Sequence, residues 1–371
     1  MREIGLYLHI PFCIKKCVYC DFASVGGGEE FFAPYEARVL EEISRRARQD
    51  VTVRTLYVGG GTPSVVPARM IRSILAALRE AFPFAPGAEC SMEMNPGTVR
   101  EEMLEAMREG GVNRVSMGMQ CAQDRLLRML GRPHRFSDVA EGVRLLRRNG
   151  FDNLNLDLML GLPSQTEDDV AESLRSALDL GVSHLSCYGL IVEEGTEMAR
   201  RIRDGEWTLP DEDTERNMYE MCLQETARRG MKQYEISNFA YPGRECRHNV
   251  DIWKRGEYIG IGCAAAGFMD GVRSQNPSSL GGYLRGEKPE EEAVGEEDAM
   301  FESVMLGLRL TEGITDGEFY SRHGRTLSEV FALRWQKAMD LGLLTYRDGR
   351  LRLTRRGMDV QNSVLVYLMP D

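Results

Sequence analysis

Cys13, Cys17 and Cys20 stand within eight residues of one another in the stretch PFCIKKCVYCDF. Three thiols at C-x3-C-x2-C spacing can hold a metal or a metal cluster, form part of a disulfide framework, or lie together by chance. Nine cysteines, an odd number spread over 371 residues, argue against a disulfide framework and for reduced thiols that include metal ligands. A structural zinc needs four protein ligands, and the nearest extra candidates, His9 and Asp21, complete no familiar zinc spacing. A [4Fe–4S] cluster ordinarily takes four cysteines, so three would leave one iron with an open position. An open iron is useful only where something else binds it.

Those residues need elements to hold them. Short β-rich runs alternate with helical patterns: LYLHI (6–10), TLYVGG (55–60), ECSMEMN (89–95), NRVSMGM (113–119), LNLDLML (154–160) and HLSCYGL (184–190) read as strands. Amphipathic stretches such as ARMIRSILAALREAF and TEDDVAESLRSALDLG fall between them, with Ser137 and Thr166 as N-caps and Gly110, Gly150 and Gly181 at helix ends. Six repeats with long crossovers predict an α/β fold with a parallel sheet, either open or curled into a barrel. The chemistry-bearing residues favour the barrel, because they follow strand ends: the cysteines after LYLHI, GGGTPS after TLYV, Gln120 after VSMGM. Beyond residue 235 the pattern turns to loops and short strands, and the charged stretch 285–298 reads as a connector. The expected organisation is a barrel over 1–235, a loop-and-strand extension over 236–290 and a C-terminal, mainly helical winged-helix-like part over 291–371, with Asp348-Gly349 at a hairpin turn.

Composition narrows the class. A formal charge of −11 and an isoelectric point near 5.2 disfavour a nucleic-acid partner, and no apolar run is long enough to span a bilayer. Peripheral membrane contact stays open. The start, MREIGLYLHIPFC, has too short an apolar run and no cleavage site for a signal peptide, so cytoplasmic residence is expected.

CIKKCVYC resembles the cluster loop of radical S-adenosylmethionine (SAM) proteins, in which SAM's amino and carboxylate groups occupy the fourth iron. YLHIPFC, GGGTPS, EMNPGTV, GVNRVSMGMQ, NLDLMLGLPSQT, QYEISNFA and CRHN together resemble, in order and spacing, the oxygen-independent coproporphyrinogen III oxidase family over nearly the whole chain. The resemblance implies a partial (β/α)6 TIM-like barrel with a small C-terminal domain, a [4Fe–4S] cluster on Cys13, Cys17 and Cys20, and SAM held by Tyr7, Gly60, Gly61, Thr62, Glu93, Gln120, Arg132 and Asp157. The chemistry suits those types: Glu93 and Asp157 accept from an ammonium or ribose hydroxyl, and Arg132 pairs with a carboxylate.

The oxidase branch carries another cysteine two positions after the third and an extension before the cluster. Here Phe22 takes that position, and twelve residues precede Cys13. Both features resemble instead the heme-chaperone (HemW-like) branch, which implies heme binding through an H-N-x-x-Y motif and transfer to heme-acceptor proteins. An electron donor such as flavodoxin or ferredoxin is the further partner implied. His248 and Asn249 match the motif, while Ile252 replaces its tyrosine. His248 is the heme-ligand candidate, a neutral imidazole being a common axial donor, beside the plain reading that it ties down a loop. His134 reads as surface, and Cys121 and Cys246 as buried thiols. The alternatives are a radical SAM enzyme acting by methyl transfer or radical modification of a small molecule and, remotely, a zinc-stabilised binding protein. Coproporphyrinogen oxidation is not expected.

Overall fold

In the computed structural model, which describes residues 1–369, six strands pair in parallel and in chain order. They are β1 (Arg2–Ile10), β2 (Val51–Gly60), β3 (Phe84–Met94), β4 (Arg114–Gln120), β5 (Leu154–Leu160) and β6 (His184–Gly189). The crossover helices Phe32–Arg46, Ala68–Ala81, Glu101–Glu109, Phe136–Arg148 and Glu167–Asp179 cover the outer face. The two-residue period of a strand explains what lies on each side. Along β5, Leu154, Leu156, Leu158 and Leu160 enter the hydrophobic core, while Asn155 and Asp157 point the other way. Along β4, Val115, Met117 and Met119 are in or near that core, and Ser116 and Gln120 face inward. The barrel therefore has an apolar coat and a polar interior.

The sheet does not close. Its order is β12-β11-β10-β9-β1-β2-β3-β4-β5-β6-β8-β7, where β7 is Lys232–Gln233, β8 Asn238–Ala240, β9 Tyr258–Ile261, β10 Ala266–Met269, β11 Val272–Gln275 and β12 Glu290–Ala293. The stretch expected to be a charged connector thus contains an edge strand, and the large sheet runs across the expected boundary at 290/291. Glu290, Glu291 and Glu292 are exposed there, a charged edge that resists pairing with another chain. The helix Arg247–Trp253 packs against the N-terminal halves of β2 and β3, the end of the barrel opposite the cysteines.

Helices Glu296–Gly307, Asp316–His323 and Leu327–Asp340, the hairpin Leu344–Arg347 with Arg350–Leu353, and two short helices after it build a separate core around Val304, Phe319, Phe331, Trp335 and Leu351. Asp348 and Gly349 both have positive φ, as the tight hairpin requires. Thr166 caps its helix by accepting from the amide of Asp169, as read from the sequence. Ser137 does not cap: it lies inside the Phe136–Arg148 helix, where the Asp138 carboxylate instead accepts from the Arg135 amide at 2.8 Å. Among the described residues no helix is long and apolar enough to cross a membrane.

Candidate functional site

The cysteine loop leaves β1 and is held by protein contacts on both flanks. Phe12–Cys13 pairs with Val25–Gly26, the Val18 amide donates to the Leu130 carbonyl at 3.1 Å, and the Cys20 amide to Cys17 at 3.2 Å. The end of β2 is joined to the start of this loop: Gly61 donates to Ile10 at 2.8 Å and Thr62 to Phe12 at 2.7 Å. A Cβ on Gly61 would lie 2.6 Å from the Phe12 carbonyl oxygen and 3.0 Å from Cys13 Sγ; one on Gly60, whose φ is +113°, would lie 2.7 Å from the His9 ring. The glycines are therefore demanded first by the protein's own close approach. Thr62 Oγ1 donates to Cys13 Sγ at 3.7 Å. Arg132 reaches Cys17 Sγ at 3.6 Å with one terminal nitrogen, and with the other donates to Asn95 Oδ1 and the Gly118 carbonyl, both at 2.7 Å. It thus ties the loop to the ends of β3 and β4. Burial pushes the Cys13 and Cys20 thiols up, so the thiolates that iron requires would form as metal binds.

Below the loop lies a cavity of ≈ 340 Å³ that runs into the polar interior. Cys13, Cys17, Cys20, Gly60, Gly61, Thr62, Glu93, Gln120, Arg132 and Asp157 all line it. Glu93 accepts from Tyr57 Oη at 2.8 Å and from the Gly60 amide at 3.2 Å, and burial pushes its carboxyl up to about 7. Asp157, also raised by burial, accepts from Asn155 at 2.7 Å and Ser116 at 3.2 Å. Gln120 holds φ at +65° beside an irregularity in the β4–β5 pairing, a strained conformation that turns its side chain into the cavity.

Two expected ligands are not brought to this wall. Tyr7 stacks on Tyr57, and its hydroxyl hydrogen-bonds His9 Nδ1 at 3.0 Å, while His9 Nε2 meets the Ala23 carbonyl at 3.0 Å. His248, on the Arg247–Trp253 helix, is 3% exposed, hydrogen-bonds Thr55 Oγ1 through Nδ1 at 3.0 Å and stacks on Tyr57. Burial, assisted by the charge of Arg114, pushes its imidazole down to about 3, so it is neutral but enclosed, and in this conformation it is not open to heme iron. Its neighbour Asn249 does line the cavity. The expectation of a surface His134 is overturned: it is 3% exposed, and burial together with Arg132 pushes it down to about 4. Cys121 and Cys246 are buried thiols raised by burial, to about 12 and about 11. Sequence reasoning missed Tyr57, Asn95, Arg114, Ser116 and Asn155. Only their inward alternation along strands of known register would have found them.

The donor set fits the implied cofactors. Three half-buried thiols share one loop, and the position after them that would add a fourth holds Phe22, 60% exposed. The carboxylates, amides and strand-end amide groups beneath suit a nucleoside bearing an amino-acid group.

Residues 7–177 match the radical SAM superfamily and residues 294–360 the HemN C-terminal domain. Similar proteins include the heme chaperone HemW of Lactococcus lactis subsp. lactis, 33% identical over 98% of this chain and 97% of that protein. The HemW of Escherichia coli is 35% identical over 100% and 99%, and that of Mycobacterium tuberculosis 36% identical over 99% and 95%. Among solved structures, the coproporphyrinogen III oxidase HemN of Escherichia coli, described as a radical SAM enzyme, superposes with a TM-score of 0.87 at 23% identity, over 99% of this chain and 90% of that one. That likeness shows the fold: a TIM-like radical SAM barrel with a helical C-terminal part.

Proposed function

This chain belongs to the heme chaperone HemW family of the radical SAM superfamily, and on that premise we propose that it binds heme and passes it to acceptor proteins. The observation that carries the reading is similarity along the whole chain to proteins named as heme chaperones. Membership brings a [4Fe–4S] cluster and SAM as cofactors. Cys13, Cys17 and Cys20 would hold the cluster, and Gly60, Gly61, Thr62, Glu93, Gln120, Arg132 and Asp157 would hold SAM. When bound and reduced, these groups supply one-electron chemistry at the sulfonium of SAM. The chain's own part is to fix the strand end against the cysteine loop, to present buried acceptors, and to limit water at the open iron. Tyr7 acts through His9 and Tyr57 in this reading, as a positioning residue. An apoprotein acceptor and a low-potential electron donor such as flavodoxin or ferredoxin complete the proposed partners.

Titration with heme tests the function. The anaerobically reconstituted chain is expected to shift the Soret band of added heme, and a chain that leaves it unshifted sinks the chaperone reading. His248→Ala is expected to lower stability by about 2–4 kcal/mol, through loss of a buried ring and an unsatisfied Thr55. Read below its unfolding temperature, loss of the Soret shift in this variant assigns the iron ligand to His248, reached by displacement of its helix. Retention moves the ligand elsewhere.

Glu93 gives a second test. Binding the cationic sulfonium and amino group of SAM favours an ionised carboxylate, and burial keeps this one protonated up to about 7. SAM affinity should therefore fall as pH drops below about 7, by roughly tenfold per unit, and Glu93→Gln should bind more weakly with a flatter profile. Equilibrium dialysis between pH 5.5 and 8.5 measures both; parallel profiles would remove Glu93 from the binding set.

A second reading, radical SAM enzyme, is favoured by Ile252, which stands where the heme-linked H-N-x-x-Y motif has its tyrosine. Reduced protein incubated with SAM and assayed for 5′-deoxyadenosine and S-adenosylhomocysteine distinguishes it: steady accumulation of either without heme present favours an enzyme.

A further inference from the structure

Arg114 opens β4 with its side chain inside the barrel, and it is 2% exposed. Among the described residues no carboxylate lies in ion-pair contact with its guanidinium, and its Nε is buried without a hydrogen-bond partner. Yet it lines the cavity that reaches the cysteines. A guanidinium is always charged, and a buried charge without a partner is strongly disfavoured, so its retention calls for one.

The nearby carboxylates receive neutral donors and none forms an ion pair with Arg114, on which Glu89 acts only through its charge. Glu89 accepts from the amides of Arg247 and His248, both at 3.1 Å, and from Cys246 Sγ at 3.7 Å. Glu93 is taken by Tyr57 and Gly60, and Asp157 by Asn155 and Ser116. The other close groups, Tyr57, Tyr234 and Cys246, are all held neutral by burial. The same cavity is lined by Asn249, whose amide can orient an anion, whereas Ser116, Asn155, Ser186 and Asn238 donate within the protein, to Asp157, Ser116, Asn155 and Glu235.

We infer that Arg114 is the receptor for an organic carboxylate, bound at the inner end of the cavity on the far side from the cysteine loop. The planar fork of the guanidinium matches a carboxylate bidentately, and the buried setting strengthens the pair. The carboxylate belongs either to a small free acid or to a propionate side chain of heme. The second source rests on the proposed function; the first does not.

The test uses the full-length, anaerobically reconstituted chain and sodium propionate, with sodium chloride at matched ionic strength. Propionate is expected to raise the unfolding midpoint of the wild type along a saturating curve. Arg114→Gln should abolish that rise and Arg114→Lys should keep part of it, because a point charge replaces the fork. Should Arg114→Gln not fold, Arg114→Lys alone stands in: it keeps the buried cation but lacks the fork, so its propionate response should be weaker than that of the wild type. Heme and its dimethyl ester separate the sources. A tenfold or greater preference of the wild type for the free acid, absent in Arg114→Gln, assigns the heme propionate, whereas equal affinities with a propionate response assign a small acid. The proposal is overturned if propionate and chloride act alike on the wild type, or if Arg114→Gln, or Arg114→Lys in its place, keeps the full propionate response. In either case Arg114 is balanced within the protein by Glu89.

Discussion

Replacing Cys17 with serine is expected to leave a folded chain with almost no iron, in place of the about four per chain that a [4Fe–4S] cluster brings. The fold should persist because the loop is held without the cluster: through the Phe12–Cys13 pairing with Val25–Gly26, the Val18–Leu130 backbone bond, and the Arg132 contacts with Asn95 and Gly118. Cys17 is only partly buried, and its thiol accepts one bond, from Arg132 at 3.6 Å. The substitution should cost the apoprotein no more than about 1 kcal/mol. Cys222→Ser provides the opposite result. Cys222 is wholly buried, packed with Cys187 in the hydrophobic core, so a hydroxyl there should cost about 1–3 kcal/mol while leaving the iron in place. Iron content, visible absorbance after anaerobic reconstitution, and thermal unfolding read both outcomes. A Cys17→Ser chain that keeps its iron would show that the three thiols are not the ligand set.

The strands that carry the site were legible because they are buried on both sides of a parallel sheet and bounded by turn residues. LNLDLML even shows its two faces, with leucine and polar residues alternating around Asp157. The sheet's outer edge was not legible. Glu290–Ala293 is exposed at every position and carries no apolar period, so only the presence of Val272–Gln275 beside it makes it a strand. The same limit applied to side chains whose roles are set by distant partners. His248 reads from sequence as a heme-ligand candidate or as a loop tie, because nothing near it in sequence encloses it; Thr55 and Tyr57, nearly two hundred residues earlier, do. Arg132 looked like a ligand for a carboxylate because its commitments to Asn95 and Gly118 are tertiary. Arg114 is the second residue of the strand read from NRVSMGM, and nothing in that run marks it as a cavity residue. Its inward orientation follows from the register of β4 against β3, which pairs Arg114 with Ser91.

Gly61 separates two reasons for a glycine, and Gly61→Ala should act through the one that sequence does not reveal. Its φ lies outside the left-handed region, so an alanine can adopt the backbone conformation without strain. Space is what it lacks. The new methyl would meet the Phe12 carbonyl oxygen at 2.6 Å, the Phe12 nitrogen at 2.9 Å and Cys13 Sγ at 3.0 Å. Two of these are backbone atoms, and the same backbone receives Thr62 at 2.7 Å, so the clash cannot be relieved by rotating a side chain. The strand end and the cysteine loop must move apart, carrying Cys13 and Thr62 with them. Overpacking of this kind costs roughly 1–3 kcal/mol. If the displacement falls on the strand end that holds SAM, the same energy lowers SAM affinity about 5- to 150-fold, at about 1.4 kcal/mol per tenfold. Gly97→Ala is the control, since a Cβ there meets nothing within 4 Å, and it should leave affinity and unfolding midpoint unchanged. Equilibrium dialysis with SAM on the two reconstituted variants decides the matter. Wild-type affinity in Gly61→Ala would mean that the junction of β2 with the cysteine loop yields without disturbing the site, and that Gly61 has no part in shaping it.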